Sequence, residues 1–133
     1  MDGKSKEIKH PTTGLVINCK VVLIGSIFVG KTCLLNRFIN DKFSDEVQPS
    51  QGVSFVSRVL KIEEENQSIK FDIWDTSGQE KFRSLNKMFY RDSKIAVLVY
   101  DITNKNSFKE LIEFWYKEVK SNTDESICKF FNK

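Results

Sequence analysis

Gly25, Gly30, Lys31 and Thr32 stand in the pattern G-x-x-x-x-G-K-[ST], here Gly25-Ser26-Ile27-Phe28-Val29-Gly30-Lys31-Thr32. The chemistry that suits this spacing is the binding of a phosphate chain. A glycine-bounded loop lets backbone N–H groups close around an anion, and a helix that starts at its end aims a partial positive charge at the same point. Lys31 then neutralises the outer phosphates, and Thr32 offers its hydroxyl to a magnesium ion. A second group follows in Trp74-Asp75-Thr76-Ser77-Gly78-Gln79-Glu80. An aspartate at a strand end, opposite a phosphate loop, can hold magnesium through water. Gly78 lets a backbone N–H approach a terminal phosphate with no side chain in the way. Gln79 stands where a carboxamide can orient an attacking water. Taken alone, Gln79 is a solvated loop glutamine and Asp75 an acid at a strand end; their joint occurrence with the loop raises both.

The elements that must position these groups are legible as periodicity. A strand over Cys19 to Gly25 precedes the loop, and the helix Lys31 to Asn40 follows it. Asp41 to Gln51 is a polar, proline-bearing loop. Val53 to Ile62 and the alternating run from Ile69 to Trp74 read as the two strands of a hairpin around Glu63 to Gln67. Phe82, Leu85, Met88 and Phe89 suggest an irregular amphipathic helix. Ile95 to Tyr100 is a continuous apolar run, expected of a strand buried on both faces. Phe108, Leu111, Ile112, Trp115 and Val119 mark one stripe of a last helix that Asn104 or Asn106 can cap. The fold class is therefore α/β: a layered sheet with helices on both faces and one antiparallel β-hairpin joined to a parallel centre. Ligands of such sheets bind beyond the carboxyl ends of the strands. The phosphate loop, Asp75 and Asp101 all follow strands at that end.

Length and composition bound the rest. The chain has 133 residues, 40% hydrophobic and 29% charged, with a net charge of +3. That is one domain with a single core. The charge is too mild to imply nucleic-acid binding. No apolar stretch reaches membrane-spanning length. Residues 1–17 form a flexible leader, 18–120 the domain, and 121–133 a divergent tail. Cys19, Cys33 and Cys128 are odd in number and form no C-x-x-C pair, which fits a reduced, cytoplasmic chain. Cys19 and Cys33 read as small core fillers, and His10 has no ligand neighbours in sequence.

The two motifs, with Phe82-Arg83-Ser84-Leu85, Tyr90-Arg91-Asp92-Ser93 and Val99-Tyr100-Asp101-Ile102-Thr103-Asn104, resemble the Rab branch of the Ras-superfamily small GTPases. The wording leans toward Golgi-trafficking Rabs, and the resemblance spans roughly residues 18–120. It implies a P-loop NTPase-type sheet and a switch that binds GTP and GDP with magnesium in vesicle traffic. Two loops would order around the terminal phosphate and relax after hydrolysis. It implies GTP hydrolysis, with Gln79 positioning the water and Lys31 stabilising charge. It assigns the nucleotide to Gly25, Ser26, Ile27, Phe28, Val29, Gly30, Lys31, Thr32, Cys33, Phe43, Ser50, Asp75 and Gly78, and magnesium to Thr32, Ser50 and Asp75. Phe43 would pack on guanine. Ser50 stands where the family has a threonine; it keeps the hydroxyl and lacks the methyl. Phe55, Trp74 and Phe89 resemble an exposed aromatic triad that meets effectors; by alternation alone, core packing serves them equally. Partners by resemblance are Rab effectors and exchange and activating proteins, at a peripheral endomembrane location such as the Golgi.

Departures from the pattern set further expectations. Ile27 and Phe28 are large where small residues are usual, which predicts slow hydrolysis and a poor response to an activating protein. Val47 replaces a first-switch tyrosine. Ser121 to Lys133 carries neither NKxD nor the later SAK-like loop. The last two strands and helices of the family fold are expected to be missing. Tyr100 and its neighbours would then be an exposed apolar edge, leaving a marginally stable chain. Cys128 lies too far from the terminus for a CaaX ending, so membrane association is in doubt. A non-hydrolysing, truncated Rab-like interaction protein without guanine specificity is the alternative function, and a truncated gene product with no role of its own is a third.

Overall fold

The computed structural model describes residues 14–41, 54–76 and 87–132. Strand β1 (Leu15–Ile24) leads through the phosphate loop into helix α1 (Lys31–Asn40). Strand β2 (Ser54–Ile62) turns through Glu63–Glu65 into β3 (Gln67–Asp75). A short turn at Lys87–Phe89 precedes β4 (Ile95–Val99). Helix α2 (Lys105–Glu110), a π-helical stretch at Leu111–Trp115 and helix α3 (Tyr116–Asn122) follow end to end, and β5 (Cys128–Asn132) closes the described chain. Asn104 caps α2, its side chain accepting from the N–H groups of Asn106 and Ser107.

The five strands lie in the order β2-β3-β1-β4-β5. Only β2 with β3 is antiparallel; β1 pairs in parallel with β3 and β4, and β4 in parallel with β5. The run Val21-Val22-Leu23-Ile24 is wholly buried because its alternate side chains serve two cores. Val21 and Leu23 pack with Leu35 of α1 and Ile73. Val22 and Ile24 pack on the other face with Ala96, Leu98, Leu111, Trp115 and Val119. Helices therefore cover both faces, as expected.

Three expectations are corrected. The tail does not stand outside the sheet: residues 128–132 form β5, paired in register from Ile95–Cys128 to Val99–Asn132. The Cys128 N–H donates to the Lys94 carbonyl at 3.0 Å, and Ile127 is buried. The sheet thus does not stop at β4, whose Leu98 and Val99 are covered rather than exposed. The leader boundary also moves, because β1 begins at Leu15, pairing with Gln67. Finally, the last-helix stripe is narrower than periodicity suggested. Leu111, Trp115 and Val119 are buried, while Phe108 and Ile112 are exposed.

Candidate functional site

Loop and helix meet at the carboxyl end of β1. Gly30 is the N-cap of α1 with φ of 98°, a left-handed conformation that glycine adopts without a Cβ penalty. A Cβ built there would meet open space, so the loop is unfilled on that side. The Leu34 N–H donates to the Gly30 carbonyl at 2.9 Å and begins the helical ladder. The first turn of α1 carries no acidic residue of its own. Lys31 is 3% exposed and folds back along the loop. Its Nζ donates to the carbonyls of Gly25 at 2.9 Å and Ser26 at 2.8 Å. Ser26 is buried, and its Oγ donates to Glu110 Oε2 at 2.5 Å, tying the loop to the end of α2. Ile27 and Phe28 point outward, Phe28 with 71% of its surface exposed and a left-handed φ of 62°. Val29 and Cys33 are half-buried.

Asp75 ends β3 beside Leu23 of β1 and is fully buried. The Thr32 hydroxyl donates to Asp75 Oδ2 at 2.6 Å. Two oxygen donors from different elements thus converge at the start of α1, and oxygen donors are what a hard divalent cation takes. The donor set fits magnesium. Thr76 is also buried, donating from its hydroxyl to the Leu23 carbonyl at 2.6 Å, which pins the end of β3 to β1. Asp101 follows β4 at the same end of the sheet. Its Oδ1 accepts from the Thr103 hydroxyl and N–H, and those bonds hold its carboxyl below the usual carboxylate range. Phe43, Ser50, Gly78 and Gln79, with Val47, lie outside the described residues.

Phe55 and Trp74 are directly opposite in the β2–β3 register. Their rings lie 5.0 Å apart at 60°, and Trp74 meets Phe89 at 6.0 Å and 86°. The three aromatics are brought into one row. The expectation of three exposed rings is corrected: Phe55 is 52% exposed, Trp74 is half-buried, and Phe89 at 8% belongs to the core.

Sequence reasoning missed Lys20. Its Nζ donates to the carbonyls of Met88 at 3.0 Å and Arg91 at 2.8 Å, and lies 5.0 Å from the centre of the Trp74 ring. Burial pushes its ammonium below the usual lysine range, partly offset by the Asp92 carboxylate. The available signal was a charged residue placed directly before the buried run of β1.

Comparison with known proteins gives the same family that the motifs suggested. The Ras family profile matches residues 20–131. GTP-binding protein ypt4 of Schizosaccharomyces pombe is 45% identical over 111 residues, covering 82% of this chain and 47% of the relative. Ras-related protein Rab-4 of Dictyostelium discoideum is 47% identical over 102 residues, 77% of this chain and 48% of the relative. Ras-related protein RABA1b of Arabidopsis thaliana is 44% identical over 108 residues, 81% and 49% respectively. The chain spans about half the length of these curated relatives.

Proposed function

Since the chain belongs to the Ras family of small GTPases, in its Rab branch, we propose that it binds GTP and GDP with magnesium and acts as a switch in vesicle traffic. The observation that carries this reading is the convergence at the start of α1. Lys31 is held by two loop carbonyls, and the Thr32–Asp75 pair lies one residue away. Backbone N–H groups of Gly25 to Thr32 receive the phosphates. Lys31 shares its Nζ between loop and phosphate oxygens and opposes the charge that builds on them during transfer. Thr32, Asp75 and Ser50 hold the metal. When bound, magnesium neutralises charge on the outer phosphates. Phe43 covers the base, Gly78 meets the terminal phosphate, and Gln79 orients the water. Effectors meet the Phe55 side of the aromatic row, and exchange and activating proteins act on the switch loops. The protein works from the cytoplasm, peripheral to endomembranes. Among the described residues no helix is long and apolar enough to cross a membrane.

Hydrolysis is slow in this reading, because Ile27 and Phe28 project from the loop that faces the phosphates. That same pair supports a second reading, a non-hydrolysing Rab-like interaction protein without guanine specificity. Titration of the purified chain with fluorescent GTP and magnesium, in competition with ATP, tests both. GTP preferred over ATP, with binding lost in Lys31→Met, supports the switch. Phosphate release separates the two readings. Absence of any magnesium-dependent nucleotide binding overturns the switch and supports the interaction reading.

A further inference from the structure

Lys20 lies on β1, five positions before Gly25 and on the sheet face away from α1. Three separate features converge on its side chain. Two backbone carbonyls of the 88–91 turn accept from its Nζ, and the Trp74 ring lies beneath it. Its own carbonyl accepts from the Lys94 N–H at 2.9 Å, so backbone and side chain hold the same returning segment. A lysine needs no such arrangement to be soluble, and placing an ammonium among two carbonyls and an indole face restricts a long side chain. Hydrogen bonds from a charged donor are also stronger than neutral ones.

The residues so held are not inert. Trp74 touches Phe55 on one side and Phe89 on the other. It precedes Asp75 in β3, and Asp75 accepts from Thr32. The 88–91 turn carries Phe89 and the exposed Met88. We infer that Lys20 is a positioning residue: its ammonium latches the 88–91 turn and the Trp74 ring together, so that the aromatic row takes one arrangement relative to Asp75 at the phosphate end of the sheet. The latch sets how the exposed Phe55 ring and the exposed Met88 are presented to a protein partner. Only its last consequence rests on the switch reading, namely that a nucleotide signal reaching Trp74 passes through an arrangement Lys20 holds.

The test uses the full chain labelled with 5-fluorotryptophan, which gives two fluorine resonances, from Trp74 and Trp115. Trp115 is buried in the same core cluster as Phe89 and Tyr90 but is not among the groups that Lys20 bonds or stacks on, so the Trp74 resonance is the one read; Trp74→Phe assigns the pair. In Lys20→Met without nucleotide, the Trp74 resonance moves or broadens, and by more than that of Trp115. Amide exchange at Met88 to Arg91 quickens about tenfold or more, as expected for lost hydrogen bonds from a charged donor. Lys20→Arg restores at least part of both effects. A wild-type Trp74 resonance and wild-type exchange in Lys20→Met overturn the inference. If Lys20→Met does not fold, the unmutated chain decides. With lysines labelled with 13C at Cε, which leaves the ammonium intact, the Lys20 signal must be displaced upfield by the Trp74 ring and return to the normal lysine position in Trp74→Phe; an ordinary Lys20 position in the unmutated chain overturns the inference. Magnesium nucleotide is then added. A Trp74 shift in the unmutated chain that is lost in Lys20→Met supports the coupling, and one retained in Lys20→Met overturns it. If no nucleotide binds, the switch reading fails by itself, and the nucleotide-free resonances still decide the latch.

Discussion

A Cβ placed on Gly25 would lie 2.2 Å from the carbonyl oxygen of Val99. The obstacle is backbone of β4, held in the sheet by β1 on one side and β5 on the other. It cannot swing away as a side chain would. Gly25→Ala therefore pushes β1 from β4 where the phosphate loop begins, and it disturbs a carbonyl that accepts from Lys31. The expected cost is about 1–3 kcal/mol, typical of overpacking. A lower denaturant midpoint at unchanged slope checks it. A midpoint equal to the parent's would mean that the strands separate freely.

Tyr90 is 1% exposed, and its hydroxyl finds no hydrogen-bond partner among the described residues. Burial, with a smaller contribution from Glu118, pushes its phenol well above the usual tyrosine range. The folded state thus keeps a proton that the unfolded chain releases above about pH 10. Its contribution to stability is complete below that pH and is lost as pH rises further, at up to about 1.4 kcal/mol per unit. Tyr90→Phe should remove this part of the alkaline decline. At neutral pH it should gain about 1 kcal/mol by deleting an unsatisfied buried hydroxyl. Paired urea melts at pH 7 and 10.5 check both; parallel declines in parent and variant would contradict the assignment.

The phosphate loop was legible because local chemistry fixes it. Gly30 must take a left-handed φ, and Lys31 finds its acceptors five and six residues away. The two-sided burial of β1 and β4 was equally plain from unbroken apolar runs. What escaped was non-local. The carbonyls that hold Lys20 lie 68 and 71 residues along the chain, beyond any spacing rule. β5 escaped because a five-residue parallel strand is defined by the edge it joins, and Cys128-Lys129-Phe130-Phe131-Asn132 has no strong alternation of its own. Phe89 was read as a surface ring on the resemblance alone, since alternation served core packing equally. Phe108 and Ile112 shared a helical period with buried residues, yet period alone does not set how wide the covered stripe is.

Residues 128–132 should matter to stability in a way a frayed tail would not. Deleting 128–133 removes the strand paired along all five residues of β4 and bares a run of apolar backbone. Unpaired, flat, apolar edges invite association between chains. The shortened protein should lose cooperative melting by circular dichroism or elute as aggregate in size-exclusion chromatography. A cooperative monomeric melt within a few degrees of the parent would show that β5 is dispensable.

Phe28 combines two features that different substitutions can separate. Its φ of 62° costs a residue with a Cβ about 1–3 kcal/mol, and its ring, 71% exposed, returns little through burial. Glycine removes both the conformational cost and the ring, while alanine removes the ring alone. Phe28→Gly should raise stability by about 0.5–1 kcal/mol after allowing for the greater freedom glycine has when unfolded. Phe28→Ala should leave stability near the parent's. If the ring hinders chemistry at the terminal phosphate, both variants hydrolyse GTP faster than the parent, and by similar factors. If the loop's conformation is the obstacle, only the glycine variant does. Denaturant midpoints and single-turnover phosphate release, measured on the same three proteins, distinguish these outcomes. Turnover unchanged in both variants would shift the cause of any slow hydrolysis away from Phe28.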